Sequence, residues 1–319
     1  MKKKILVTGG YGLLASTLIN KLAKKKFNVI SIDKKKNFYR YKNKKPKHYK
    51  VVLGDFRSRK FILHIIKKNK IDVIFHLGAI TQVLSSLEKP LDTYKNNIMG
   101  TINILECIRE INPKIVMIYA SSDKAYGEKD SNNYKENDKL NAIYPYDVSK
   151  SASDLISQSY SFTYGLSVGI LRCGNLYGPG DFNLKRIVPE TIINCIRNQK
   201  LKIRSNGKLT RDYLFVEDAA EAYYLVMNKL VKSKKDKLLI YNVSSKFNSN
   251  VLNLVKKIQS KINNKFNYSI ANSSSHEIKK QKLNYSKITK ELGWKPKTNL
   301  QNGLNKTISW YQKNISLFK

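Results

Sequence analysis

The sequence predicts an α/β protein: a doubly wound parallel sheet followed by a smaller, mixed α/β lobe. Three observations carry this. Apolar runs of strand length at residues 5–8, 29–33, 51–54, 73–77, 115–120 and 168–172 alternate with segments of helical length. A glycine cluster follows the first run directly. Beyond about residue 175 the alternation gives way to Gly-Pro-Gly and Asn-Gly punctuation, with one further strand at 238–243. At 319 residues the chain has the length of two lobes. Residues 1–175 form the first, to which residues 213–243 return, and residues 176–319 supply most of the second.

Taken in order, the run at 5–8 leads into Gly9-Gly10-Tyr11-Gly12-Leu13-Leu14-Ala15 and then a helix over 13–24. Gly10 to Ala15 fits G-x-G-x-x-G/A between a strand and a helix. There the missing side chains let backbone N–H groups approach a pyrophosphate at the positive helix end. The next strand ends at Asp33, about the spacing at which a carboxylate binds the ribose hydroxyls and repels a 2′-phosphate. This favours NAD over NADP; the alternative is a glycine turn followed by a solvated aspartate. The strand at 51–54 is followed by Asp55, placed to reach the adenine side or to be a loop carboxylate. Helices over 61–68 and 93–111 flank the strand at 73–77. The lysine-rich stretches at 34–47 and 232–237 read as loops.

The strand at 115–120 runs into Ser121-Ser122-Asp123-Lys124-Ala125-Tyr126-Gly127, which sets a carboxylate beside an amine. The helix read over 149–164 is preceded by Tyr146, four residues before Lys150, so the two share one helical face. Lowering a tyrosine from about 10 to neutrality takes about 4 kcal/mol. A cation about 4 Å away supplies a similar amount at an effective dielectric of about 20. Lys150, helped by an oxidised nicotinamide, therefore suits activation of Tyr146 as a base. The plain alternative is the start of an amphipathic helix.

Composition narrows the classes. The formal net charge is +37, which draws anions. Only nine of the 60 basic residues are arginine, and the lysines are spread along the chain without a nucleic-acid-binding motif. A solvated lysine-biased surface explains the charge better than specific nucleic-acid binding. Cys107, Cys173 and Cys195 have no paired spacing, and His48, His64, His76 and His276 form no ligand motif, so neither disulfides nor a metal are expected. No apolar run approaches the roughly 18 residues of a membrane span. The run after Met-Lys-Lys-Lys is short for a signal peptide, which predicts a cytoplasmic protein.

With these motifs in hand, the chain resembles the extended short-chain dehydrogenase/reductases that modify nucleotide sugars. The resemblance lies in Thr-Gly-Gly-Tyr-Gly near the start, Tyr146 with Lys150, and Gly174-Asn175-Leu176-Tyr177-Gly178-Pro179-Gly180. It continues through Arg211-Asp212-Tyr213-Leu214-Phe215-Val216-Glu217-Asp218 to Leu292-Gly293-Trp294-Lys295-Pro296. It implies a Rossmann domain binding NAD, with Leu77, Gly78, Ala79 and Asn97 joining Gly9, Gly10, Gly12, Leu13, Leu14, Asp33, Asp55, Tyr146 and Lys150 around the cofactor. It places Ser122 against the sugar's 4-oxygen, and Asn175, Arg186 and Arg211 against the diphosphate or nucleotide. The pair after that serine is Asp-Glu in thymidine-linked glucose 4,6-dehydratases and Asp-Lys in the CDP-glucose enzymes, as Asp123 and Lys124 are here. The implied function is a nucleotide-sugar 4,6-dehydratase yielding a 4-keto-6-deoxy sugar for surface glycan biosynthesis, with Asp123 as acid and Lys124 as base. Arg211-Asp212-Tyr213 departs from the Trp-Gln-His of CDP-glucose dehydratases, which leaves the nucleotide open. A nucleotide-sugar 4-epimerase or ketoreductase would use the same Tyr146 and NAD site, and a non-catalytic NAD-binding or RNA-binding protein is the reading from another class. The resemblance also implies a homodimer packed through the Tyr-x-x-x-Lys helix, with Leu155, Ile156 and Phe162 as contributors. Burial against the sheet would explain the same apolar residues.

Overall fold

The computed structural model describes residues 3–35, 46–129, 133–233, 235–262, 267–273 and 278–318. His276 and most of the lysine-rich stretch at 34–47 lie outside the described residues. Seven strands form one parallel sheet: β1 (Lys4–Thr8), β2 (Asn28–Asp33), β3 (Tyr49–Leu53), β4 (Val73–His76), β5 (Val116–Ser122), β6 (Val168–Cys173) and, later in the chain, β10 (Leu238–Val243). Their order is β10-β6-β5-β4-β1-β2-β3, and every pair is parallel. The order reverses between β1 and β4, which opens a crevice at the carboxyl ends of the strands, the usual ligand position in such sheets.

Both faces of this sheet are covered, which is why its strands are apolar runs without alternation. On one face α1 (Leu13–Lys24) and α8 (Val216–Lys232) pack Leu18, Ile19, Leu22, Tyr223 and Val226 onto the strands. The other face is covered by α2 (Arg59–Asn69), α5 (Gly100–Ile111) and α6 (Pro145–Tyr164), through Ile62, Ile66, Ile104 and Ile108 with the half-buried Ile156. Leu155 and Phe162, on the same helix, are exposed at 51% and 77%.

The smaller lobe is mixed. β7 (Asn175–Tyr177) pairs parallel with β9 (Thr210–Phe215), and β11 (Asn248–Asn250) pairs antiparallel with β9. A second, two-stranded sheet joins β8 (Leu201–Ile203) to β12 (Tyr268–Ile270). Between these sheets α7 (Ile187–Arg197), α9 (Val251–Ile262) and α11 (Leu300–Lys313) bury Ile192, Leu254, Ile258, Leu304 and Tyr311. The short helices α3 (Val83–Glu88), α4 (Pro90–Tyr94) and α10 (Ser286–Leu292) complete the fold.

Three elements differ from the sequence reading at places that matter for the site. β5 runs two residues further than 120, because Ser121 and Ser122 continue the ladder against Arg172 and Cys173; their polarity hid this. The helix read from 149 begins at Pro145, a residue whose fixed φ and missing N–H suit the first helical turn. The helix read over 93–111 contains a π-helical turn at Lys95–Met99, an insertion often found at functional sites.

Candidate active site

The glycine-rich turn is shaped by close backbone approach. Gly9 has φ +68, and a Cβ there would lie 2.8 Å from the Gly78 Cα, so the loops after β1 and β4 touch through two glycines. Thr8 fastens them: its Oγ1 accepts the backbone N–H groups of Leu77 at 3.1 Å and Gly78 at 2.9 Å, and lies 2.8 Å from His76 Nδ1. Burial, aided by the charge on Lys150, pushes His76 down to about 3, so it is a neutral hydrogen-bonding strut. The helix α1 starts after Gly12 with no side-chain cap, leaving its first N–H groups for an anion. At the end of β2 the Asp33 carboxylate accepts the Tyr11 N–H at 2.7 Å, which holds it against this turn. The spacing, the uncapped helix and the carboxylate together fit a dinucleotide.

Asp55 is engaged differently. Its Oδ2 takes Arg57 Nη2 at 2.6 Å and faces Lys34 Nζ at 3.5 Å. Burial opposes its ionisation, but the Arg57 hydrogen bonds and the Lys34 charge outweigh that and hold the carboxyl below its ordinary value.

The π-helical turn buries Asn97. Its Oδ1 accepts Ile80 N–H at 2.8 Å, while its Nδ2 donates to the Ile80 carbonyl at 3.0 Å and to Ser149 Oγ at 2.9 Å. Ser149 in turn donates to the Tyr146 carbonyl at 2.7 Å. The loop that carries Leu77, Gly78 and Ala79 is thus tied through Asn97 to the first turn of α6.

On α6, Tyr146 and Lys150 are 8% and 4% exposed. Lys150 Nζ donates to the Ala120 carbonyl at 2.7 Å and sits 5.2 Å from the Tyr119 ring centroid. Burial pushes its ammonium down to about 8. Burial also raises the Tyr146 phenol, against a hydrogen bond with the Ser122 hydroxyl and the charge of Arg186. Within the chain, therefore, desolvation outweighs the lowering expected from the four-residue spacing.

β5 delivers Ser122 into a 3-10 turn over Asp123–Tyr126. Ser122 Oγ donates to Asp123 Oδ1 at 3.1 Å and accepts Lys124 N–H at 3.2 Å. Asp123 is 3% exposed and Lys124 8%. Burial raises the Asp123 carboxyl although the charges of Lys124 and Arg211 and the Ser122 hydroxyl oppose it. Its Oδ2 is buried without a hydrogen-bond partner among the described residues. The pair is therefore desolvated, and the carboxyl is biased toward the protonated form in which it can act as an acid.

The smaller lobe contributes cations. Arg186 pairs with Asp181 at 3.0 Å, and Arg211, 4% exposed, donates to the Thr210 carbonyl at 2.9 Å. Asn175 opens β7 and is exposed. Among the described residues no group of three or more His, Cys, Asp or Glu gathers to hold a metal, and no helix is long and apolar enough to cross a membrane.

A buried ion pair behind the turn was not singled out from sequence. Arg172 Nε and Nη2 each donate to Asp154 at 2.9 Å, while Nη1 donates to Tyr126 Oη and the Glu136 carbonyl, both at 2.9 Å. Ser121 Oγ donates to the same carboxylate at 2.6 Å. The available signal was an arginine inside an otherwise apolar strand, which a fold tolerates only when it is paired.

The family model described as GDP-mannose 4,6 dehydratase matches residues 6–307. The chain belongs to this family. The chain is 31% identical over 323 residues to the Arabidopsis thaliana trifunctional UDP-glucose 4,6-dehydratase/UDP-4-keto-6-deoxy-D-glucose 3,5-epimerase/UDP-4-keto-L-rhamnose-reductase, covering 98% of this chain and 47% of that protein. It thus spans about half the length of that relative. Identity to the human dTDP-D-glucose 4,6-dehydratase is 29% over 337 residues, covering 99% of this chain and 92% of the other. Among solved structures, the dTDP-glucose 4,6-dehydratase of Bacillus anthracis in complex with NAD superposes with a TM-score of 0.84 at 25% identity, covering 98% of each chain. For this dehydratase family member, the Rossmann sheet and mixed second lobe read from sequence are the observed architecture.

Proposed function

We propose that this chain is a NAD-dependent nucleotide-sugar 4,6-dehydratase. The observation that carries the reading is the desolvated Asp123–Lys124 pair around Ser122, whose hydroxyl hydrogen-bonds the Tyr146 phenol, with one Asp123 oxygen buried and unpartnered among the described residues. The chemistry supplied by bound NAD is hydride uptake from C4 and return to C6, with a positive charge that favours the phenolate. Gly9, Gly10, Gly12, Leu13 and Leu14 would hold its pyrophosphate, Asp33 its ribose, and Leu77, Gly78, Ala79, Asn97 and Lys150 its other end, with Asp55 at the adenine side. On this reading residues 1–175 and 213–243 serve the dinucleotide, and residues 176–319 mainly serve the nucleotide sugar.

Tyr146 takes the C4 hydroxyl proton, and Ser122 holds the same oxygen. The resulting 4-ketone acidifies the C5 proton, which Lys124 removes as the C6 hydroxyl departs as water with the proton from Asp123; as C6 receives the hydride, Lys124 returns a solvent-exchanged proton to C5. Burial favours the neutral carboxyl that this division of labour requires. Arg186, Arg211 and Asn175 are assigned to the diphosphate side, where guanidinium groups match phosphate oxygens. The 4-keto-6-deoxy product suits surface glycan biosynthesis. The exposed Leu155 and Phe162 on α6 suit packing in a homodimer, which light scattering checks.

The test is incubation with NAD and UDP-, dTDP-, GDP- and CDP-hexoses in deuterated water, followed by mass spectrometry. Loss of one water with deuterium at C5 is expected, and the nucleotide that reacts names the substrate. Lys124→Ala should abolish water loss while sparing NAD binding. An isomer of unchanged mass, or undiminished dehydration by Lys124→Ala, would overturn the assignment.

A further inference from the structure

Residues 278–284 strap the smaller lobe to the catalytic turn. Lys280 bridges to Thr210, and Leu283 bridges to Tyr134. Gln281 N–H donates to the Thr210 carbonyl at 3.1 Å, and its own carbonyl accepts Asn248 Nδ2 at 2.7 Å. Leu283 N–H donates to Asp212 Oδ2 at 2.8 Å, and Arg211 Nη1 lies 3.4 Å from the Lys279 carbonyl. The backbone of the strap is therefore well satisfied.

The side chain of Gln281 is not. The residue is 1% exposed, and among the described residues neither Oε1 nor Nε2 has a hydrogen-bond partner. Burying such groups unpaired is costly, and a leucine or methionine would fill nearly the same volume without that cost. Lys280 bridges to Thr210 and the Gln281 N–H bonds the Thr210 carbonyl, so in register Gln281 lies beside Arg211 of β9, a residue whose charge acts on Asp123. On the other side, Tyr134 packs its ring 5.2 Å from Tyr126, the last residue of the turn that carries Asp123 and Lys124. Gln281 thus lies on the segment that joins the arginine of the smaller lobe to the residues packed behind the acid-base pair.

We propose that the Gln281 amide is a specificity-determining group that hydrogen-bonds hydroxyls of the hexose. The assignment rests on the nucleotide-sugar reading above. An amide offers donors and an acceptor together, which matches a sugar hydroxyl that is itself both. A phosphate offers acceptors only and is the natural partner of the neighbouring Arg211 guanidinium. The unsatisfied amide is then a group held ready for the sugar.

The experiment compares wild-type protein with Gln281→Leu and Gln281→Met, each saturated with NAD. Calorimetry would measure binding of UDP-glucose, dTDP-glucose, GDP-mannose and CDP-glucose alongside the parent UDP, dTDP, GDP and CDP. Both variants should keep or raise Tm and keep the affinity for the nucleoside diphosphate. Their affinity for the nucleotide sugar should fall about tenfold, the scale of one or two neutral hydrogen bonds. Unchanged sugar affinity would overturn the assignment alone, as would equal losses for sugar and diphosphate, with or without a lowered Tm. Wild-type protein that binds none of the nucleotide sugars would overturn the nucleotide-sugar reading and this assignment with it.

Discussion

Replacing Arg172 by methionine tests what holds the acid-base turn in place. The guanidinium and the Asp154 carboxylate are 2% and 0% exposed, and among the described residues Asp154 would keep hydrogen bonds from Ser121 Oγ at 2.6 Å and Gln158 Nε2 at 2.7 Å. Removing one partner of a desolvated pair costs about 3–5 kcal/mol. With an unfolding entropy of about 2.1 cal/mol/K per residue, the 319-residue chain should lose about 5–7 °C in Tm. Neutralising the stranded charge in Asp154→Asn/Arg172→Met keeps the acceptor for Ser121 and should recover about half of that loss. Differential scanning fluorimetry of both variants, with NAD and without it, reads these shifts. Turnover should fall further than stability predicts, because Arg172 also holds Tyr126 Oη at 2.9 Å, and Tyr126 closes the turn of Asp123 and Lys124. A Tm within about 1 °C of wild type for Arg172→Met, or a lower Tm in the double variant than in the single, would refute the claim that this pair is desolvated and mutually dependent.

The buried amine of Lys150 gives a pH signature. Burial sets it at about 8 against 10.5 for the free side chain, so between these values the unfolded state binds more protons and stability rises with pH. The penalty is full below pH 8 and gone above 10.5, a swing of roughly 3 kcal/mol. Lys150→Met lacks this dependence, so the wild-type-minus-variant difference in urea denaturation should grow across that window; a constant difference would place the amine in water. At the glycine turn, Gly9→Ala combines φ +68 with a Cβ 2.8 Å from the Gly78 Cα, whereas Gly165→Ala has φ +66 and no heavy atom within 4 Å. Gly165→Ala should cost about 1 kcal/mol, the left-handed penalty alone, while Gly9→Ala should cost more and weaken NAD binding in fluorescence titration. Equal costs with unchanged NAD affinity would show that the two loops do not need their close approach.

Much of this molecule was legible because its signals are local. The strand runs are apolar since both sheet faces are covered, and the glycine turn is legible since only its backbone conformation is needed. Asp33 lies at the end of β2, and the Tyr146–Lys150 spacing lies on one helix. The ends of elements were less legible where polar side chains continue a ladder, as Ser121 and Ser122 do, or where one inserted residue makes a π-helical turn around Asn97.

By itself, then, the sequence determined the doubly wound sheet, the glycine-rich turn and the identity of the residues available for chemistry, because periodicity and spacing act over a few residues. Only the tertiary structure decided their protonation and support. The Asp123 carboxyl is raised toward its neutral form because the folded chain buries it, an effect no neighbouring residue in the chain reveals. The Arg172–Asp154 pair joins β6 to α6, and the strap at Gln281 crosses from Thr210 of β9 to Tyr134. Desolvation and long-range pairing depend on which segments meet in space, so they belong to the folded chain.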